Sequence, residues 1–508
     1  MTPKSPVPAK RALEIWSNQT DSTEKAKCDK IEPKPTPSPL VKALYSESVT
    51  AKLWNVASKA LGSMKPPTLY PEYTGADGVS YVYRTLDFWT SGFFPGSLYL
   101  LLERQILYPS FYDTPWRPNR SNPLPHRLQL EHICKWWTAN LHANAAKRDT
   151  HDLGFMIAPW AMKAWSLDHD PQAYNSLVLA AHSLASRFDE RVQSLRSWDV
   201  CHTKRYSFTD PGKDFLVIID NMLNLDLLFW VARETGNSKM YDIAVAHART
   251  TAEHHIRSDN STVHVVNYDA ETGLPKSKFT HQGCSDESCW SRGQAWGILG
   301  FAQTFEWTGN MEFLSTARTL ADYFVRRLPA DGVPYWDFDA PVSAECPRDT
   351  SAGMVAACGM LLIYKALRHA DRDAACFYLR SAMRILTGTV DGFMTPGHLE
   401  VGVDEPGTAV PTYPGNLPGE EARQPGALRV NGCRPAENGN SGHKKTPDTI
   451  LDGATINNYE FATRRWSNHG LVYADYYFML IGNMLLELGL AERSSFAIFG
   501  ELAHNRYG

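Results

Sequence analysis

The chain has little net charge and no long apolar run. Its 508 residues carry a formal charge of −4 at pH 7, whereas proteins that bind nucleic acid or anionic membranes usually present a strongly basic surface. No stretch approaches eighteen uninterrupted apolar residues, the length typical of a membrane-spanning helix. We therefore expect neither nucleic acid nor a membrane to be the main partner.

The sequence also has few signals for metals, cofactors or export. Nine cysteines are scattered from Cys28 to Cys433, and this odd number is typical of free thiols in a reducing compartment. Cys284 and Cys289 lie close together, but no second pair completes a zinc site. A secretory signal, a Gly-rich phosphate loop and a dinucleotide fingerprint are not evident. The expectation is a cytoplasmic protein without metal or cofactor.

What the chain does contain is typical of a large globular core. Hydrophobic residues make up 43% and charged residues 21% of the sequence. Fifteen tryptophans are a weak indication of carbohydrate binding, because flat rings pack against the apolar faces of sugars. On composition alone, a large aromatic core is the better explanation for them.

Helical periodicity dominates the sequence. Apolar residues recur at three- and four-residue steps in twelve segments, whereas strand alternation is confined to pieces such as STVHVVNY. Residues 1–40, rich in Pro, Lys and Ser, are predicted to be a poorly ordered arm. Residues 402–448, rich in Gly, Pro and Asn, resemble a long inserted loop. A single domain is therefore predicted for residues 41–508.

Every second helical segment is more apolar than its neighbours and begins with polar residues. These beginnings lie at 90–96, 151–154, 218–221, 291–296, 349–353 and 473–477. The alternation predicts an all-α protein of six helical hairpins with an inner and an outer ring, an (α/α)6 barrel. An open solenoid would show the same alternation, but six complete pairs favour closure. Polar groups at the starts of the inner helices would then meet at one end and form a pocket.

Two aspartates at these beginnings are candidates for acid–base chemistry. Asp152 precedes a helix and could be a simple N-cap. Asp220 lies inside an apolar segment with Asn224 one turn further on, so its carboxyl must be paired, hydrogen-bonded or open to a cavity. A purely structural role for Asp220 remains an alternative. If the two carboxyls are close, burial and mutual repulsion would raise the pKa of one of them.

The motifs at the inner-helix starts occur in a characteristic order. They are LDFWTSGFFPGSLYLLLE, HDLGF, IIDNMLNLDLLFW, HQG followed after seven residues by SRGQAWGILGFA, DTSAGMVAACGMLL and LVYADYYF. Over about residues 45–490 this pattern resembles glycoside hydrolase family 88, the unsaturated glucuronyl hydrolases. The resemblance implies an (α/α)6-barrel enzyme.

The resemblance also implies roles for individual residues. Asp220 would be the general acid and base, and Asp152 would support its protonation and the substrate. The positions that would line the substrate site are Trp89, His151, His264, His281, Gln282, Trp290, Arg292 and Trp296.

Several of these assignments have alternatives in the sequence itself. Arg292 is the natural partner of a substrate carboxylate, with donors from His281 and Gln282, but it could instead form a structural ion pair. His264 could be a core or surface histidine. Phe93 or Phe94 could replace Trp89 as a stacking ring, and all three could be core. Two further aspartates, at 349 and 475, are interpreted as caps or hydrogen-bonding residues rather than catalysts.

The reaction that the resemblance implies is hydration of a double bond. The terminal 4,5-unsaturated glucuronic acid, left on an oligosaccharide by a lyase, is a vinyl ether. An acid protonates C4, water adds at C5, and the resulting hemiketal opens and releases the rest of the oligosaccharide. One carboxyl can serve as the acid and then as the base.

Three other functions are alternatives to this one. Unsaturated rhamnogalacturonyl hydrolases would share the ring and the chemistry, but the HDLGF, HQG and SRGQAW motifs favour the glucuronyl enzymes. Sugar 2-epimerases use histidine pairs on a similar ring, and a second well-placed histidine is not evident. A non-catalytic carbohydrate-binding protein would not need both Asp152 and Asp220. The leaving sugar and the oligomeric state are not predicted.

Overall fold

The computed structural model describes residues 38–113, 124–397 and 446–491. The predicted arm at 1–40 and the predicted loop at 402–448 lie almost entirely outside these residues, so both remain predictions. Residues 38–40 are described, and Ser38 caps the first helix with its side chain.

The described residues form fourteen α-helices, and all twelve predicted helical segments are among them. The helices are α1 (Pro39–Leu44), α2 (Glu47–Lys59), α3 (Phe93–Leu107), α4 (Pro109–Tyr112), α5 (Arg127–Thr138), α6 (Leu153–Asp168), α7 (Pro171–Ala185), α8 (Leu225–Thr235), α9 (Ser238–His255), α10 (Ser291–Thr308), α11 (Met311–Arg327), α12 (Thr350–Leu367), α13 (Arg372–Phe393) and α14 (Val472–Glu487). Three short 3-10 helices accompany them, at Ala60–Gly62, Leu141–Ala146 and Ile219–Asn224.

Six helical segments pack against one another in chain order. They are α3, α6, the 3-10 turn Ile219–Asn224 with α8, α10, α12 and α14. Each packs against the next, and α14 packs back against α3. These are the segments predicted to be inner, and their burial agrees with that prediction. In α12, every residue from 350 to 361 is buried.

The remaining long helices bury only one face. In α11 the buried residues recur at three- and four-residue steps, from Phe313 to Phe324, while the other face carries charged side chains. α5, α7, α9, α11 and α13 pack against α3, α6, α8, α10 and α12 respectively. α2 packs against α3 and α5. The core of the molecule therefore lies among the six inner segments.

The structure has more strands than the sequence pattern predicts. Nine short strands lie in the connections between the described helices: β1 (Leu69–Thr74), β2 (Tyr81–Thr85), β3 (Phe188–Asp189), β4 (Ser194–Leu195), β5 (Cys201–His202), β6 (Ser207–Phe208), β7 (Asp214–Ile218), β8 (Val265–Asp269) and β9 (Pro275–Phe279). β8 overlaps the alternating piece STVHVVNY. All pairs are antiparallel, and β7, β8 and β9 form a three-stranded sheet. Because β7 ends at Ile218, this sheet fixes the chain immediately before Asp220.

One inner helix has the composition of a membrane span. Among the described helices, α12 alone is long and apolar enough to cross a membrane. It is largely buried and packs against α10, α13 and α14. Its apolar character is therefore that of a core helix surrounded by protein.

Candidate active site

The starts of the inner segments carry most of the predicted site residues. Asp152 directly precedes α6, Asp220 lies in the 3-10 turn before α8, and Arg292 lies in the first turn of α10. Asp349 precedes α12, and Tyr473 begins α14. Contacts join several of these starts, as described below, so the predicted convergence at one end is confirmed for these residues.

Asp220 combines burial with a neighbouring like charge. Its Oδ1 is inaccessible to solvent and has no hydrogen-bond partner among the described residues. Burial, and to a lesser degree the Asp152 carboxylate, raise the pKa of Asp220 well above its ordinary value, while the Arg292 charge acts weakly in the opposite direction. A carboxyl in this setting favours its protonated form and can act as an acid.

Asp152 occupies the N-cap position of α6 but does not cap the helix with its side chain. Its Oδ2 instead accepts a hydrogen bond of 2.7 Å from the Thr150 hydroxyl. Its Oδ1 lies 3.2 Å from Nε2 of His151, and its side chain is 14% exposed. The capping alternative is therefore wrong for the side chain, which is oriented by the Thr150 hydroxyl and lies beside the His151 ring.

Gly154 explains how the Asp152 and Asp220 segments come so close. An ideal Cβ at Gly154 would lie 2.6 Å from Oδ1 and 2.7 Å from Cα of Asn224. Any side chain at residue 154 would push the start of α6 away from the 3-10 turn that carries Asp220. Glycine at this position is thus a packing requirement of the aspartate pair.

His151 is fully buried beside this pair. Its Nδ1 lies 3.0 Å from the Ser197 carbonyl oxygen, which can only accept, so Nδ1 carries the hydrogen. Nε2 is therefore the atom directed to Asp152. Burial lowers the pKa of His151, although the Asp152 charge opposes this shift. Nε2 of the neutral ring therefore carries a lone pair, so His151 packs beside Asp152 without donating to its carboxylate.

Arg292 is engaged in a buried ion pair. Its Nη1 lies 2.6 Å from Oδ2 of Asp349, and both side chains are almost completely buried. The guanidinium also donates to the carbonyl oxygens of Thr455 and Ile456, at 2.6 and 2.7 Å. The structural alternative is therefore confirmed for Arg292, and a direct bond to a substrate carboxylate stays a prediction. The Arg292 charge still reaches Asp220.

Asp349 and Asp475 act as hydrogen-bonding residues, as predicted. Asp349 caps α12 by accepting from the backbone N–H groups of Ser351 and Ala352. Asp475 accepts from the Tyr81 hydroxyl and from the backbone N–H groups of Ile450 and Leu451. Both hold the segments that surround the site.

His264, Trp290 and Arg292 form a stack. The ring centroids of His264 and Trp290 are 4.5 Å apart, and the Arg292 guanidinium lies 4.7 Å from the Trp290 centroid. His264 is 4% exposed, and its Nδ1 accepts from the backbone N–H of His281 at 3.0 Å. Its Nε2 has no hydrogen-bond partner among the described residues. Trp290 therefore lies between the His264 ring and the Arg292 guanidinium, and this packing explains it better than stacking against a sugar does.

His281 and Gln282 lie on the loop before α10 and are both partly exposed. Gln282 Nε2 donates to the Ile456 carbonyl oxygen at 2.8 Å, the same carbonyl that Arg292 binds. Burial of the ring lowers the pKa of His281 to about 4, so the imidazole is neutral near pH 7. The structure therefore brings His281, Gln282 and Arg292 together around residue 456.

The aromatic residues considered for the site differ in their burial. Trp89 is partly exposed and packs on Tyr473, with ring centroids 5.2 Å apart. Phe93 and Phe94 are buried, so they are core rather than alternatives to Trp89. Trp296 is 1% exposed and packs between Phe155 and Tyr477. Its predicted place in the substrate site is not supported, because it lies one turn deeper in α10, inside the core.

Sequence reasoning missed three aromatic residues at the site. Trp198 packs against His281 with ring centroids 5.1 Å apart, and the Tyr473 centroid lies 5.4 Å from the Arg292 guanidinium. His469 is influenced by the Arg292 charge, and burial lowers its pKa to about 4. Tyr473 and His469 lie in or next to the LVYADYYF motif, which could have indicated them. Trp198 has no comparable local signal.

Comparison with known proteins places this arrangement in a family. No family model matches the chain. It is 36% identical to the unsaturated glucuronyl hydrolase of Formosa agariphila over 279 residues, 54% of this chain and 63% of that protein. It is 37% identical to the unsaturated chondroitin disaccharide hydrolase of Streptococcus pyogenes over 225 residues, 44% of this chain and 54% of that protein. The chain thus spans less than two thirds of the length of these two relatives.

A third relative is covered more fully. The unsaturated chondroitin disaccharide hydrolase of Streptococcus agalactiae is 32% identical over 304 residues, which make up 59% of this chain and 70% of that protein. The chain belongs to glycoside hydrolase family 88, the unsaturated glucuronyl hydrolases.

Solved structures of unsaturated glucuronyl hydrolases share the fold. A crystal structure of one specific for heparin aligns over 88% of this chain and 98% of its own, with a TM-score of 0.64 and 26% identity. The enzyme of Bacillus sp. GL1 aligns over 89% and 98%, with a TM-score of 0.65 and 24% identity. The likeness extends well beyond the segments matched by sequence.

The described residues also bear on the predictions about metal binding and cysteines. Within residues 38–113, 124–397 and 446–491, no group of three or more His, Cys, Asp or Glu side chains could hold a metal ion. The seven cysteines in these ranges are free thiols, as predicted. Cys28 and Cys433 lie outside the described residues.

Proposed function

We propose that the protein removes the terminal 4,5-unsaturated glucuronic acid from lyase-generated oligosaccharides. The observation that carries this proposal is the pairing of Asp220 with Asp152, in which burial and the Asp152 charge raise the pKa of the Asp220 carboxyl well above its ordinary value. Relatives at 32–37% identity are named for activities of this kind. Binding alone would give no reason to bring two carboxyls together without an intervening cation.

The scaffold proposed for this activity is an (α/α)6 barrel. Its support is the packing of the six inner segments in chain order and the return of α14 to α3. An open solenoid would leave its first and last inner helices apart. Closure gathers the polar starts of the inner helices around one pocket, with the amphipathic helices outside.

Asp220 acts first as an acid and then as a base. It transfers its proton to C4 of the unsaturated sugar, and the positive charge that develops is shared between C5 and the ring oxygen. Water attacks C5 and gives a proton back to the Asp220 carboxylate. The hemiketal at C5 opens by breaking the bond from C5 to the ring oxygen. The hemiacetal left at C1 then expels the oligosaccharide as an alcohol.

Asp152 favours the protonated form of Asp220 at the start of each cycle. A carboxylate fixed by the Thr150 hydroxyl raises the pKa of its neighbour in the resting state. It also stabilises the positive charge that builds up on the sugar. Asp152 therefore favours both the loading of the proton and its transfer.

The substrate is held by the groups that remain accessible around the pair. The partly exposed ring of Trp89 packs against the sugar. His281 and Gln282 donate to its hydroxyl and carboxylate oxygens, and His264 contributes its Nε2. The guanidinium of Arg292 is already bound to Asp349, so Arg292 attracts the substrate carboxylate by its charge rather than through a direct hydrogen bond.

The test uses the ultraviolet absorbance of the conjugated double bond. Incubation with a lyase-generated unsaturated glucuronyl disaccharide should remove this absorbance, whereas an unsaturated galacturonyl-rhamnose disaccharide should react far more slowly. Asp220→Asn should abolish the loss, and Asp168→Asn, at an exposed aspartate paired with Lys135, should leave it unchanged. Absence of any loss with the wild-type protein between pH 4 and pH 9 would sink the proposal.

A further inference from the structure

A second cavity lies at the other end of the inner helices. Its volume is about 400 Å³, and α8, α10, α12 and α14 line it. On α10, α12 and α14 the lining residues, such as Gln303, Lys365 and Met484, belong to the C-terminal halves, whereas the aspartate pair lies at the N-terminal starts. A volume of this size is in the range of small-molecule sites. The reaction proposed above makes no use of this cavity.

The wall of the cavity combines an apolar surface with the Asp226 carboxylate. Leu299, Leu362 and Met484 supply apolar area. Oδ1 of Asp226 accepts from Nε1 of Trp307 at 2.6 Å, and the Asp226 side chain is partly exposed. A carboxylate in such a wall favours a ligand that donates charge-assisted hydrogen bonds.

The charges around the mouth favour a cation. The carboxylates of Asp226, Glu306 and Glu487 outnumber the cations Arg233 and Lys365. Lys365 is held by Glu306 at 3.0 Å and by Glu487 at 3.7 Å, which fixes its ammonium at the mouth. The carbonyl groups at the C-terminal ends of α10, α12 and α14 add negative potential.

The ring of Trp307 is held in place by its neighbours. The Arg233 guanidinium lies 4.6 Å from its centroid, and the Phe229 ring stacks on it with centroids 6.3 Å apart. Its indole N–H is committed to Asp226, so the carboxylate and the ring are fixed relative to each other.

We infer that this cavity binds a small organic cation, an ammonium group carried on a compact apolar body. The ammonium donates to the Asp226 carboxylate, and the apolar body packs against the leucines and Met484. This site is separate from the aspartate pair, and the inference does not rest on the proposed function.

Calorimetric titration of the full chain with benzylamine tests the inference, with benzyl alcohol as the neutral analogue of the same shape. Benzylamine should bind one molecule per chain, and benzyl alcohol should bind at least about tenfold more weakly, since it lacks the charge-assisted hydrogen bonds. Asp226→Asn should weaken benzylamine binding by a similar factor. Glu253→Gln, at an exposed residue outside the cavity, should leave it unchanged.

A further variant keeps the outcome clear if Asp226→Asn folds poorly. Leu362→Trp should fill the cavity and abolish binding. It should retain the activity of the wild-type protein towards the unsaturated disaccharide. No saturable binding, equal affinity for the alcohol, or full affinity in the Leu362→Trp variant would each overturn the inference.

Discussion

Gly154→Ala tests whether close helix packing sets the geometry of the aspartate pair. The added methyl would lie 2.7 Å from Cα of Asn224, whereas ordinary contact begins at 3.4 Å. Because the atom it meets belongs to the backbone, the start of α6 must move away from the 3-10 turn that carries Asp220. Overpacking of this kind costs about 1–3 kcal/mol of folding free energy. A displacement approaching 1 Å at reacting groups can cost about 100-fold in rate.

Two measurements separate these effects. Urea denaturation should show the loss of 1–3 kcal/mol in unfolding free energy, and steady-state kinetics on an unsaturated disaccharide should show kcat reduced by about ten- to 100-fold. KM should change little, because the residues that hold the sugar lie mainly on other segments. The expected result is therefore a folded protein with impaired chemistry.

A matched glycine gives the control. Gly392, near the end of α13, has no atom within 4 Å of the position where its Cβ would lie. Gly392→Ala should be neutral or stabilise the protein by about 0.4–1 kcal/mol, with unchanged kcat. If Gly154→Ala retained wild-type stability and kcat, the close approach would not control the aspartate pair, and this reasoning would be refuted.

Two further predictions concern two buried histidines and one buried ion pair. Burial lowers the pKa of His247 and of His255 to about 3, below the unfolded value of about 6.5, so their stabilising contribution is complete above pH 6.5 and is lost as the pH falls towards 3. At pH 5 each should cost about 2 kcal/mol; urea denaturation at pH 7.5 and pH 5 checks this, and an unchanged midpoint would contradict it. Asp349→Asn leaves the Arg292 charge buried without its counter-ion and should cost about 3–5 kcal/mol. The same change at exposed Asp331 should cost under about 1 kcal/mol, and equal losses would argue against the buried pair.

The helices could be predicted because their signal is local. Apolar residues at three- and four-residue steps mark each segment, and an inner helix such as α12 is apolar on all sides while an outer one such as α11 is apolar on one. The strands escaped notice because they are short, four of them only two residues long, and because β7 pairs with a segment far along the chain. β7 pairs with β8, so that Asp214 lies opposite Asp269, and neither strand alone carries that information.

The site was predicted unevenly for the same reason. Asp220 stands out locally, since a carboxyl in an apolar segment requires an explanation. The environment of Arg292 depends on Asp349 and on the carbonyl groups of Thr455 and Ile456, which are far away in the chain. No local pattern at residue 292 distinguishes a substrate ligand from a structural ion pair. Trp89 and Trp296 likewise differ only in their tertiary surroundings.

The central claim is that Asp220 protonates C4 of the unsaturated sugar. The most direct test is to run the reaction in D2O and to examine the released uronic product by NMR. The account predicts one deuterium delivered to a single face of C4, a product without the double bond, and no turnover by Asp220→Asn. A released sugar that keeps its C4=C5 bond and carries no deuterium at C4 would contradict it, because the glycosidic bond would then have been cleaved directly.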